Sequence, residues 1–195
     1  KKYGISSFVA HEDIEPSKEW QVEIEAALHT MDALSALIMQ GFKESNWCDQ
    51  EVGFAVARDV LIIPVRKGLD PYGFIGKYQG IQAKGKNIGE VAHEAFTTII
   101  NSPKTRAKML RCLVNTIGQS TEEGEAINKL DILKSVKNIP SDNLNQLRQN
   151  VLDNKALLGC EAFSAQLNVI LASADIQAVQ TSEEVGQEEW DEIPF

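Results

Sequence analysis

The chain has 195 residues, 43% of them apolar and 24% charged, the proportions of a folded protein with one or two domains. Its formal charge of −9 argues against sequence-independent binding to nucleic acid, and no apolar run approaches the ~20 residues of a membrane span. Cys48, Cys112 and Cys160 lie far apart without CxxC spacing, so neither a disulfide framework nor a zinc site is indicated. With no recognisable secretory signal, a reduced, cytoplasmic setting is expected.

Ile5–Ala10 (ISSFVA) carries the β-branched and aromatic content of a short strand. The polar loop from His11 to Ser17 follows, closed by Pro16, with Ser17 placed to cap a helix. Trp20, Ile24, Ala27, Leu28 and Met31 recur at three and four, which predicts an amphipathic helix. Ala33–Met39 is nearly all apolar, as a strand buried on both faces should be.

Phe42–Ala57 (FKESNWCDQEVGFAVA) is the most informative stretch. Ser45 can cap a helix on which Trp47, Cys48, Glu51, Phe54 and Ala55 lie three or four residues apart. Glu51 thus falls among apolar side chains, where desolvation raises a carboxyl pKa. Two roles are open to it, a boundary glutamate reaching water or a functional carboxylate. Trp47 shares its face and is either a core anchor or a packing surface for a ligand ring. Cys48 reads as packing.

Val60–Val65 is a second buried strand, and a weaker one is predicted near Gly80–Ala83 after the turn-rich Gly68–Phe74. Val91, Ala92, Ala95, Phe96, Ile99 and Ile100 make a helix that packs on the sheet. Strands alternating with helices imply a parallel sheet, with ligands beyond the carboxyl ends of the strands. The His11 loop and the start of the Glu51 helix both lie at such ends. His11, with Glu12 and Asp13, either forms a solvated loop or touches ligand or a neighbouring subunit. The three histidines show no metal-ligand spacing, and no G-x-G-x-x-G or P-loop is present.

Beyond the sheet region the pattern is helical. Pro103 suits a first turn before the stripe Met109, Leu110, Leu113, Val114 and Ile117, which Gly118 ends. Ser120 with Glu123 reads as a capping box before Ile127, Leu130, Leu133 and Val136. Two further amphipathic helices follow Pro140 and carry Phe163. The organisation expected is 1–101 for the α/β domain, 102–180 for a small all-α bundle, and 181–195 for an acidic, disordered tail.

Ser-Asn-Trp-Cys-Asp-Gln-Glu, lying between an apolar strand and a strand containing Ile-Ile-Pro-Val, resembles the Toll/interleukin-1 receptor (TIR) domain family. The resemblance runs from about Tyr3 to Ile100 and implies an α/β, flavodoxin-like fold. Bacterial members carry a similar S-x-W-C-x-x-E run, and in the enzymatic branch its glutamate cleaves NAD. Residue by residue, this implies Glu51 as catalytic, with Trp47, Ala10, His11 and Ser45 at the substrate and no metal or cofactor. It also implies antiviral or signalling function with self-association, or alternatively a non-catalytic scaffold acting through TIR–TIR contacts. In the same terms Tyr3–Ala10 matches the family's second strand. The first strand and helix are then missing, and a gap between the Phe8 and Leu37 strands is expected.

The chain ends Glu-Glu-Trp-Asp-Glu-Ile-Pro-Phe, similar to the acidic tip of bacterial single-stranded-DNA-binding proteins. There the terminal Phe and its carboxylate dock on partner proteins; the alternative here is a solubilising tail. If Ile193-Pro194-Phe195 docks, deleting Phe195 abolishes partner capture in a pull-down and leaves solubility intact, with the acids mainly speeding encounter.

Overall fold

In a computed structural model the described residues are 4–9 and 19–180. They divide into two compact units, one within Ser6–Ala107 and the other comprising 108–180 with Gly4 and Ile5.

The first unit is built on three parallel strands in the order β1-β2-β3: β1 (Ala33–Ile38), β2 (Leu61–Arg66) and β3 (Ile81–Gln82). Ala33 pairs with Leu61 through to Ile38 with Arg66, while β3 joins at Val65↔Ile81. Helix α1 (Trp20–Thr30) precedes β1, α2 (Asn46–Ala57) connects β1 to β2, and α3 (Ile88–Asn101) follows β3. The alternation of a strand assigns the two faces. Ala36, Ile38 and Ile62 pack with Val52 and Ala55 of α2, and Ile63, Val65 and Ile81 face Val91, Ala95 and Ile99 of α3. Both faces of β2 are therefore covered, which is why its sequence is apolar without alternation.

Pro64 sits in this central strand, where a missing N–H is normally excluded. Gly80 explains the exception. Its backbone, at φ +70°, lies so close to the Pro64 carbonyl that a side chain would collide with it. That side of Pro64 consequently faces β3, whose pairing begins only at Val65, so the ladder to β1 keeps its donors.

Two sequence expectations before Arg106 are corrected. Ile5–Val9 forms no strand, and Phe8 and Val9 are 41% and 44% exposed. Among the described residues β1 is paired with β2 alone, so Ile5–Val9 makes no ladder with it. Leu37 points to the second face, where α3 reaches β2 and β3, and is 45% exposed. Pro103 does not start a helix. It lies in a turn in which Thr105 Oγ1 and Arg106 Nη1 donate to the Ile99 and Ile100 carbonyls, closing α3.

The second unit is helical. It contains α4 (Arg106–Gly118, whose first two residues lie in the other unit), α5 (Glu123–Lys134), α6 (Ser141–Leu152), the single turn α7 (Lys155–Leu158) and α8 (Glu161–Ala172). Leu113, Val114, Ile117, Leu130, Leu133, Leu147, Val151, Leu157, Phe163 and Leu167 are fully buried in it. The expected capping box fails. Ser120 is buried, donates to the Thr116 carbonyl and accepts from Lys129 Nζ, so it finishes α4 instead of starting α5. Asn154 closes the same helix end by donating to the Gly118 and Ser120 carbonyls. The acidic tail lies outside the described residues.

Gly118 is buried against α6, and a Cβ there would overlap the Cβ of Asn150, an atom fixed to backbone. Gly118→Ala is expected to destabilise the protein by about 1–3 kcal/mol, the usual cost of overpacking, in chemical or thermal unfolding.

Candidate active site

Ser45 starts the site. In extended conformation it accepts from the Cys48 backbone N–H (3.4 Å), the N-cap that sets the rotation of α2. Cys48, Val52 and Ala55 then form the stripe that packs on the sheet. At about 100° per residue Glu51 lies on one flank of that stripe, with Trp47 one turn before it and Phe54 one turn after.

Helix α1 packs along this flank. Trp20 meets Trp47 edge to face with centroids 4.7 Å apart, and His29 meets Phe54 likewise at 4.9 Å. N-terminal residues meet N-terminal residues, so the two helices run side by side in the same direction. Arg58, just past α2, donates to the Leu28 (2.6 Å) and Met31 (3.2 Å) carbonyls and so caps α1 from the neighbouring helix.

Glu51 lies between these two aromatic contacts and is half-buried. No described residue gives its carboxylate a hydrogen bond or an ion pair. Burial pushes the carboxyl up from the ordinary value of 4.5, and desolvation is the cause. It is a water-depleted carboxylate beside a pair of tryptophans, one of which (Trp20) remains 49% exposed.

The structure thus brings Trp47 and Glu51 onto one flank and engages Ser45 as the helix cap. Ala10 and His11 lie outside the described residues. No group of three or more His, Cys, Asp or Glu side chains that could hold a metal occurs among the described residues. Two partners were missed by sequence reasoning, Trp20 and Arg58. Trp20 stood in its helical stripe as an apolar residue, but nothing in the spacing within either helix reports which residue lies opposite.

The sequence profile of the TIR domain family matches residues 1–100. The chain therefore belongs to the TIR domain family. Neither curated proteins nor solved structures returned a match.

A carboxyl raised by burial binds its proton more tightly in the folded chain than in the unfolded one. Stability from this group is therefore greatest when it is protonated, and is lost as pH rises from about 4.5 through the raised folded value. Glu51→Gln removes that loss. The variant is expected to be at least as stable as the wild type at neutral pH, with the advantage shrinking toward pH 4.5, as denaturant titrations across pH would show.

Proposed function

We propose that this TIR domain cleaves the nicotinamide–ribose bond of NAD, releasing nicotinamide and leaving ADP-ribose or a cyclised product, with Glu51 as the catalytic residue. The observation that carries this reading is the half-buried Glu51 carboxylate, without an ion pair among the described residues and next to the Trp20–Trp47 pair. A salt-bridged or fully solvated glutamate would suit a scaffold better, since its charge would already be neutralised or screened.

The chemistry asks little of a protein. In NAD the leaving group is a cationic pyridinium, so the C–N bond breaks with its electron pair going to the ring nitrogen and needs no general acid. Ordinary glycosides need two carboxylates; here one suffices. Positive charge develops on the ribose, and a carboxylate fixed below it stabilises the oxocarbenium-like transition state. Partial removal of water strengthens that interaction. Trp47 supplies an apolar surface for the ring system, and water or a nucleophile of the substrate completes the product. The raised carboxyl value implies that activity falls on acidification at higher pH than it would for a solvated glutamate. Self-association through the TIR domain and a role as a bacterial antiviral or signalling effector belong to the same proposal.

Glu51→Gln keeps shape and hydrogen bonding but not charge. Nicotinamide release is expected to fall by ~10²-fold or more while the circular dichroism spectrum is retained, as for loss of other preorganised electrostatic groups. Undiminished release by a folded Gln variant rules Glu51 out. A wild type that releases none supports the scaffold.

A further inference from the structure

Helix α2 has a second flank. Asp49 lies two residues from Glu51, about 200° around the helix, and with Val52 it faces the chain that follows β2. There the turn Gly73–Ile75 folds against α2 and encloses a cavity of about 350 Å³. Its walls are mainly aromatic and aliphatic: Phe42, Val52, Tyr72, Phe74 and Ile75. Gly73, at φ +54°, makes the bend that leaves the next residue, Phe74, 69% exposed at the edge of the cavity.

One polar pair lies in this lining. Tyr72 Oη donates to Asp49 Oδ1 at 2.6 Å, and the Lys43 ammonium lies 4.7 Å from the Tyr72 ring centroid. Burial, with the Asp49 carboxylate beside it, pushes the Tyr72 hydroxyl up to about 12, so it remains a donor throughout the neutral range. That bond takes one lone pair of Asp49 and leaves the other carboxylate oxygen as an acceptor.

We propose that this cavity binds an amino-bearing heteroaromatic base, packed against the Phe74 ring with its exocyclic N–H donated to Asp49. The volume is at the lower end of the 300–1,000 Å³ of small-ligand sites, which suits a base with its sugar toward the mouth. Aromatic walls favour a flat π-system over an aliphatic chain. The carboxylate decides the rest. An occupant with a donor gains a charge-assisted bond to Asp49 that one without it lacks, and an anionic one would be repelled. The site is separate from the Glu51 flank and does not depend on NAD cleavage.

The test uses the full chain carrying Glu51→Gln, which excludes turnover, and two probes. Adenosine has one donor group on its base; purine riboside is the same molecule without the exocyclic amine. Backbone amide shifts under titration should centre on Asp49, Tyr72 and Phe74, with adenosine binding at least tenfold more tightly. Asp49→Ala should erase that preference, and Phe74→Ala should weaken both probes. Both side chains are exposed, so neither change removes core packing. Shifts absent at millimolar adenosine, shifts centred on Trp47 and residue 51, or a preference that survives Asp49→Ala would each overturn the proposal.

Discussion

A helix packed on a sheet has one stripe to bury, and once that stripe is chosen both flanks are set. In α2 the choice is made by Cys48, Val52 and Ala55 against Ala36, Ile38 and Ile62. Ala55 is fully buried, so its small side chain lets α2 lie close to the strands. Rotating α2 by one residue would drive Glu51 toward the sheet and expose the alanine. The desolvation of Glu51 is thus a consequence of packing elsewhere on its helix. It is partial because the flank is shared with α1, which covers it without closing it.

The α1–α2 pair is held at both ends by different physics. Two tryptophans meet edge to face at one end, where the gain is dispersion and quadrupole alignment. At the other, the Arg58 guanidinium satisfies carbonyls that α1 cannot satisfy itself. Between them lies the half-buried carboxylate. An arrangement that leaves a charged group short of solvent is tolerated when the surrounding contacts over-determine it, and such positions cluster where chemistry is done.

Much of the first unit could be read from the chain. The apolar runs of β1 and β2, the Ser45 cap and the out-of-pattern Glu51 follow from local spacing, and the W-C-x-x-E run pointed to the family. What was illegible depends on tertiary neighbours. Ile5–Val9 has the composition of a strand, yet composition does not report whether another strand lies alongside in register. Ser120 and Glu123 have the spacing of a capping box, but a nearby buried lysine and the end of α4 claim the serine. The Asp49–Tyr72 cavity hid in a turn-rich segment read only as punctuation, because turn chemistry reports where the chain bends and not what it bends toward.

Lys129 carries a consequence of its own. Its ammonium group has three hydrogens and three acceptors: the Thr116 carbonyl at 2.9 Å, Ser120 Oγ at 3.0 Å and Glu125 Oε1 at 2.8 Å. The side chain is almost wholly enclosed. A nucleophilic amine needs a free lone pair and a path to the reagent, and this one has neither while the helices stay packed. Acylating reagents that modify exposed lysines at once will reach Lys129 only when the helical unit opens. Its labelling rate is therefore a clock for the breathing of that unit, built into the sequence at a single residue.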